Sequence, residues 1–203
     1  LHDNVGAHVS NLIAGLEISR HHLQNSDFNE ACELIENLDS DARQVMVELR
    51  DTIWLLDRDQ VNIEDFIRHV QQFIKRQKHY LNGLKVDINQ NIRHSRKLNA
   101  SESLHLIRIL QEAIHNVRKH AGANRIALQL ESNHDKLVIT IRDDGEGFLP
   151  GRRDLNGHYG IENMKNRMRT IGGTFSIHSR PGEGTSIILT LPHSEKAPTL
   201  GQK

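Results

Sequence analysis

The chain has 203 residues, with 26 Lys and Arg side chains against 26 Asp and Glu side chains, so its formal net charge is zero. This balance argues against direct nucleic-acid binding, which is typically accompanied by an excess of basic residues on one face. The single cysteine, Cys32, excludes an internal disulfide framework. No apolar run approaches the ~18 residues of a membrane span. Because the chain begins with Leu1 rather than Met, we expect a cytoplasmic part of a longer protein, with a sensor or membrane segment upstream.

Residues 1 to about 57 show helical periodicity and no strand pattern. A break at Asn25-Ser26 separates two helices, and the second carries an apolar stripe spaced by three and four residues at Ile35, Leu38, Ala42, Val45, Leu49, Ile53 and Leu56. Two antiparallel helices with narrow stripes cannot enclose a core alone. We therefore predict that residues 1–60 form a hairpin that pairs with a second copy into a four-helix bundle. The alternative is a hairpin that packs only on the rest of its own chain.

Residues 61–192 mix helical and strand patterns and predict a second domain, followed by a polar tail over residues 193–203. In chain order the predicted elements are helix 63–76, strand 85–92, helix 101 to about 119, strands 126–130 and 137–141, a glycine-rich loop 145–160, a helix to about 171, and strands 175–177 and 187–191. Helices mixed with hairpins predict an α/β sandwich, in which helices cover one mainly antiparallel sheet. The chain as a whole is then of the α+β class.

The helix around residue 115 presents three polar side chains on one edge. At about 100° per residue, Glu112, Asn116 and Lys119 lie close together beside the apolar face. An amide oxygen beside a carboxylate suits Mg²⁺, and an ammonium group one turn further suits phosphate. The alternative is a solvated helix edge that carries an ion pair.

Three glycine-containing segments are candidates for ligand binding. In the segment from Asp143 to Phe148, a carboxylate that leaves a buried strand is followed by Gly145 and Gly147. Such a segment is either a plain acidic turn or a place where a flat ring approaches the backbone while its amine meets the carboxylate. Gly157 to Gly160 precedes a helix whose first amides can hold phosphate, and Gly182 to Thr185 alone is a turn.

In order along the chain, these segments resemble the N, G1, G2 and G3 boxes of the ATP-binding domain shared by gyrase, Hsp90, MutL and histidine kinases. The resemblance covers about Ile63 to Pro192. It implies a site for ATP and Mg²⁺ in which Asn116 ligates the metal, Asp143 binds the adenine amine and Lys119 contacts phosphates. The remaining implied cofactor-binding residues are Gly145, Gly147, Gly157 and Gly160 of a mobile lid, Arg167 as a helper, and Gly184 and Thr185 of the last box.

The first helix resembles the phosphoacceptor box of sensor histidine kinases, in the subfamily in which Asp directly follows the phosphoacceptor His. The matching segment runs from Leu1 to Ser10. The resemblance implies that His2 is phosphorylated, that Asp3 is its general base or orienting group, and that a homodimer passes the phosphoryl group to an Asp of a response regulator, typically one with a helix-turn-helix output. The sequence departs from the subfamily at Ala7, where many members carry a Gln that helps to dephosphorylate the regulator.

The sequence therefore predicts a histidine kinase core that phosphorylates His2 from ATP. Two other classes stay open. In a conformational ATPase of the gyrase, Hsp90 and MutL type, Glu112 would activate water and no phosphoprotein would form. In a non-catalytic dimeric module, the fold would persist without ATP binding. Among the 14 histidines, the pairs His21-His22 and His115/His120 lack the spacing of metal sites and are interpreted as surface residues.

Overall fold

The computed structural model describes residues 2–25, 27–56, 59–77, 81, 83–149 and 159–193. It divides into two compact units, Leu1–Asp57 and Arg58–Lys203. Within the described ranges, the first unit is helical and the second combines helices with strands, as the periodicity of the sequence predicts.

The first unit is a hairpin of two long helices, α1 (His2–Gln24) and α2 (Phe28–Leu56). The chain reverses between them through hydrogen bonds from the backbone N–H groups of Asn25 and Asp27 to the last turn of α1. The helices approach closely where Gly15 faces Leu38, since a Cβ atom at Gly15 would collide with the Leu38 side chain. The two predicted helices are confirmed.

Over its described residues, the second unit contains a five-stranded sheet and three α-helices. Its strands are β2 (Lys85–Ile92), β4 (Arg125–Ser132), β5 (Lys136–Asp143), β6 (Thr174–Ser179) and β7 (Thr185–Pro192), and its helices are α3 (Ile63–Arg76), α4 (Ala100–Asn116) and α5 (Tyr159–Thr170). The sheet order is β2-β4-β5-β7-β6, in which β2 pairs with β4 in parallel and all other pairs are antiparallel. The predicted α/β sandwich with a mainly antiparallel sheet is confirmed.

The core lies on one face of this sheet. Alternate residues of β4 and β5 are buried, whereas their neighbours Gln129, Glu131 and Arg142 are exposed. The buried strand residues meet buried apolar side chains of all three helices, which include Phe66, Ile67, Val70, Leu106, Ile109, Leu110, Met164 and Met168. The domain is thus two-layered, and its other sheet face remains open to solvent over these strands.

A second, two-stranded sheet was not predicted. Its strands β1 (Gln60–Asn62) and β3 (Lys97–Asn99) pair antiparallel, with Val61 opposite Leu98. Each strand has three residues, which is too short for an alternation to be recognised.

A buried ion pair joins the beginning of α4 to the end of β7. Arg96 Nη2 lies 2.7 Å from Glu102 Oε1, and Arg96 Nη1 donates to the carbonyl oxygen of Pro192 at 3.1 Å. Glu102 also completes a capping box with Asn99, which satisfies the first backbone N–H groups of the helix. These contacts fix the direction in which α4 crosses the sheet.

Candidate functional site

A cavity of about 420 Å³ lies among α4, α5 and the strand ends that face them. One carboxylate, that of Asp143 at the end of β5, lies in a wall that is otherwise largely apolar. The described residues that line the cavity are Ala113, Asn116, Val117, His120, Ala121, Asp143, Gly147, Phe148, Leu149, Ile161, Met164, Ile177, Pro181, Thr185 and Ile187. A mostly apolar concave site with a few convergent polar groups is typical of a small-molecule site.

The wall contributed by α4 depends on a change of helix type. The α-helix ends at Asn116 and continues as a π-helical turn from Val117 to Ala121, which wraps more residues into each turn. The turn places His120 in the cavity wall beside Asn116, whereas Lys119 is exposed and outside that wall. A helix of constant 100° steps does not predict this order, because the wider turn shifts every later side chain. Phosphate binding by Lys119 therefore stays a prediction.

Asp143 is the buried carboxylate of the cavity, with 5% of its surface exposed. Its Oδ1 atom accepts hydrogen bonds from the backbone N–H groups of Gly145 at 2.9 Å and Thr185 at 3.2 Å. Both of these bonds use Oδ1. Burial raises the pKa of Asp143 above its ordinary value, and the two N–H groups partly oppose that rise.

The neighbouring carboxylate, that of Asp144, has different hydrogen-bond partners. Its Oδ1 accepts hydrogen bonds from the backbone N–H groups of Asn124 and Arg125, each at 2.9 Å. The hydrogen bond from Arg125 N–H, followed by that from Asn124, lowers the pKa of Asp144. Asp144 therefore holds the beginning of β4, while Asp143 faces the cavity.

The glycines of this region are required by crossing backbones. A Cβ atom at Gly145 would collide with the carbonyl oxygen of Ala121, and one at Gly184 would collide with that of Asp143. Gly184 also has a φ of +75°, which favours glycine. In the structure Gly145 and Gly147 lie against neighbouring segments of the chain, and Gly147 also lines the cavity. The expectation that these glycines make room for a flat ring stays a prediction.

Glu112 and Asn116 come together at the beginning of α5. Both are half-buried, and a Cβ atom at Gly160 would meet Glu112 Oε1 and lie 3.4 Å from Asn116 Nδ2. Carboxylate and amide oxygens are hard donors that suit Mg²⁺ completed by water and phosphate. Across the described ranges, no group of three or more His, Cys, Asp or Glu side chains is placed to hold a metal ion.

Arg167 lies on α5 and acts on α4 rather than on the cavity wall. It is half-buried, and burial together with its positive charge lowers the pKa of His105. Arg167 is absent from the residues that line the cavity. Its predicted role as a phosphate helper therefore stays a prediction.

Three candidate residues have no described side-chain environment. His2 and Asp3 lie at the beginning of α1, but their side chains are outside the described part of the structure. Gly157 lies outside the described residues altogether. The roles assigned to them stay predictions.

Several wall residues were missed by the sequence analysis. His120, Phe148 and Ile161 line the cavity. Ser179, at the end of β6, contacts the segments that form the wall. His120 follows Lys119 in the same box, which is a weak sequence signal of a site residue. Ser179 lies at a strand end, and its sequence position carries no such signal.

Residues 101–195 match the family model described as histidine kinase-, DNA gyrase B- and HSP90-like ATPase. Over 192 residues the chain is 26% identical to the signal transduction histidine-protein kinase/phosphatase DegS of Brevibacillus brevis, covering 95% of this chain and 49% of that protein. Over 200 residues it is 26% identical to a sensor protein NarQ homolog of Haemophilus influenzae, covering 96% of this chain and 34% of that protein. The chain thus spans about half or less of these relatives.

Solved structures share the fold. The histidine kinase domain of the blue-light activated histidine kinase from Erythrobacter litoralis EL346 matches with a TM-score of 0.57 at 19% identity, over 90% of this chain and 95% of that one. The Acinetobacter baumannii histidine kinase AdeS matches with a TM-score of 0.59 at 12% identity, over 92% and 97%. Within the described residues, no helix is both long and apolar enough to cross a membrane.

Proposed function

We propose that the chain is the catalytic core of a sensor histidine kinase, because residues 101–195 match a family model that includes histidine kinases and the curated relatives that match most of the chain are sensor kinases. In this proposal His2 receives the γ-phosphoryl group of ATP and passes it to an Asp of a response regulator. The observation that carries the proposal is the cavity, because it combines an α4 edge with Asn116, the buried Asp143 and the turn before Thr185. These are three of the four segments that match the nucleotide boxes.

In the proposed complex the adenine base occupies the apolar part of the cavity. Asp143 Oδ2 accepts a hydrogen bond from the exocyclic amine, since Oδ1 already holds two backbone N–H groups. Gly160 lies in the first turn of α5, where backbone amides favour phosphate oxygens. The resemblance assigns Gly157 to the same phosphate-binding segment, and its part in the complex is a proposal. Lys119 and Arg167 supply positive charge for the phosphates by movement of their long side chains.

Magnesium is part of the proposal. Asn116 would hold it through its amide oxygen, with Glu112 close by, which agrees with the oxygen donors that Mg²⁺ prefers. When bound, Mg²⁺ would neutralise charge on the phosphates during transfer.

In the proposed transfer, an unprotonated ring nitrogen of His2 attacks the γ-phosphorus. A nitrogen–phosphorus bond forms, the bond from the γ-phosphorus to the bridging oxygen breaks, and ADP leaves. Asp3 accepts a hydrogen bond from the other ring nitrogen, or its proton. In the second transfer, a regulator Asp oxygen attacks the same phosphorus and the nitrogen–phosphorus bond breaks, which returns His2 to its initial state.

The hairpin supplies the proposed dimer interface. Large apolar side chains of α1 and α2 are exposed in the single chain, among them Leu16, Phe28 and Ile53. A second copy would cover them in a four-helix bundle. The partner for phosphoryl transfer is a response regulator, with a helix-turn-helix output in the form that the subfamily resemblance implies. The balanced charge of the chain argues against direct nucleic-acid binding by this part.

The experiment that tests the proposal is incubation of the chain with ATP labelled at the γ-phosphorus and Mg²⁺. We expect an acid-labile label on the protein, lost in His2→Gln and retained in His21→Gln, which alters an exposed histidine of the same helix. Adding a cognate regulator should move the label to that protein.

Other outcomes would favour the two other classes. Label that persists in His2→Gln would contradict His2 as the phosphoacceptor. Phosphate release that survives in His2→Gln but not in Glu112→Gln would favour a conformational ATPase. Absence of ATP binding by the wild-type chain would favour a non-catalytic module.

A further inference from the structure

The Ser179 hydroxyl, outside the cavity wall, joins two segments that form it. Ser179 Oγ accepts a hydrogen bond from Phe148 N–H at 2.8 Å. It lies 3.1 Å from the Gly184 carbonyl oxygen and 3.0 Å from Thr185 Oγ1. Phe148 and Thr185 both line the cavity, so one hydroxyl behind the wall connects the segment after Gly147 with the turn before β7.

The hydrogen-bonding capacity of Ser179 determines the direction of each bond. A hydroxyl group has one proton to donate and two lone pairs that accept. Phe148 N–H occupies one lone pair, and the Gly184 carbonyl, which can only accept, takes the proton. The second lone pair then accepts the proton of the Thr185 hydroxyl. All three contacts are satisfied in this arrangement.

The direction of these hydrogen bonds determines what Thr185 presents to the cavity. With its proton committed to Ser179, Thr185 Oγ1 offers only lone pairs to a ligand. Thr185 also donates its backbone N–H to Asp143 Oδ1, so the two side chains are neighbours in the wall. The polar groups of this corner are therefore acceptors, Thr185 Oγ1 and Asp143 Oδ2.

We infer that Ser179 sets the base selectivity of the site by fixing the direction of the Thr185 hydroxyl. This inference rests on the proposed function and identifies a positioning residue for it. A purine with an amine at this corner donates to the two acceptors. A purine with a carbonyl at the same position places a third acceptor against them, and an unpaired buried acceptor is costly.

Removal of the hydroxyl should relax this selectivity. In Ser179→Ala the Thr185 hydroxyl is free to rotate and to donate its proton to a ligand carbonyl. Asp143 still favours an amine, so discrimination is reduced rather than abolished. Ser179→Thr keeps the hydroxyl and should keep the selectivity.

The test compares ATP with inosine triphosphate, which carries a carbonyl in place of the amine and a proton on the adjacent ring nitrogen N1. Titration calorimetry on the full chain gives the Kd of each nucleotide. The readout is the Kd for inosine triphosphate divided by the Kd for ATP. We expect the ratio to fall about tenfold in Ser179→Ala, and to stay unchanged in Ser179→Thr. Ser176→Ala is the matched control, because Ser176 is an exposed residue of the same strand, three positions earlier.

The outcomes separate this inference from the proposed function. A Ser179→Ala chain whose two Kd values rise by the same factor, or do not change, would overturn the inference, because a purely structural role does not alter the ratio. A wild-type chain that binds neither nucleotide would instead contradict the proposed function.

Thr185→Val provides a second route that does not depend on the folding of Ser179→Ala. It removes the hydroxyl acceptor, so the ratio should fall in the same direction. Adding Ser179→Ala to Thr185→Val should then leave the ratio unchanged, because the two changes act through one group. An unchanged ratio in Thr185→Val would overturn the inference.

Discussion

The two units of the chain differ in how much of their apolar side chains is exposed to solvent. In the second unit Phe66, Ile109 and Ile126 are fully buried between helices and sheet. In the hairpin Leu16, Phe28 and Ile53 each remain more than half exposed. Among the hairpin side chains that the structure describes, the apolar ones classed as buried are Ala31 and Leu38.

The difference shows what each unit needs for stability. A sheet with three helices on one face encloses a core within one chain. Two helices with narrow stripes bury little against each other, and a second surface must cover the remainder. We therefore expect the nucleotide site to be a property of one chain and the hairpin to be completed by another.

The largest expected effect compares one isoleucine from each unit. Ile109→Ala removes a fully buried side chain and should lower the free energy of unfolding by about 2–5 kcal/mol. Ile18→Ala alters a side chain that is 51% exposed in the single chain and, in a chain diluted below its dimer Kd, should change it by no more than about 0.5 kcal/mol. Urea denaturation followed by circular dichroism measures both. Equal losses would contradict the contrast between the units.

The next effect compares the two neighbouring carboxylates. Asp143→Asn replaces an acceptor in the cavity by an amide and should weaken ATP binding by about tenfold to a hundredfold. Asp144→Asn is the control, because that carboxylate serves the backbone of Asn124 and Arg125. Titration calorimetry measures both affinities. A larger loss in the Asp144 variant would show that the cavity does not hold the base.

The proposed dimer gives a third test. Leu16→Lys places a charge on an exposed apolar residue of α1 and should raise the dimer Kd by at least about tenfold. Sedimentation at micromolar concentration measures it, and ATP affinity should remain unchanged. The control, Gln24→Lys, adds the same charge at an exposed polar position of the same helix. A wild-type chain that sediments as a monomer would refute the bundle.

The smallest effect follows from the raised pKa of Asp143. Because burial raises the pKa in the folded state, that state binds more protons than the unfolded one between the ordinary and the raised pKa. The Asp143 contribution to stability therefore falls as pH rises through this window. ATP affinity should change in the opposite direction and weaken as pH falls, since protonation makes the Asp143 carboxylate a weaker hydrogen-bond acceptor. Calorimetry across the acidic range should show this trend in wild type and not in Asp143→Asn.

Local patterns were sufficient to predict most of the fold. The alternation of apolar and polar residues predicted β4 and β5, and the apolar spacing of residues 63–76 predicted α3 with its observed bounds. The parallel pairing of β2 with β4 has no local signal, because the two strands are separated by α4 and β3. The three-residue strands β1 and β3 are defined by each other and not by their own sequences.

The site was predictable where a residue type carries its own chemistry. A carboxylate at the end of a buried strand identified Asp143, which the structure places in the cavity wall. The π-helical turn after Asn116 was not visible, because its effect is a change in side-chain direction. Ser179 was also not visible, since its contacts join Phe148 to Gly184, which are distant along the chain.

The backbone crossings at Gly145, Gly147 and Gly184 also bear on inhibitor design. In each case a methyl group would strike a main-chain carbonyl oxygen of another segment. Main-chain atoms cannot move aside to relieve a clash as the end of a flexible side chain can. Drug-resistant variants should therefore rarely arise at these three positions. An inhibitor shaped to this corner would leave few single substitutions by which the site could exclude it.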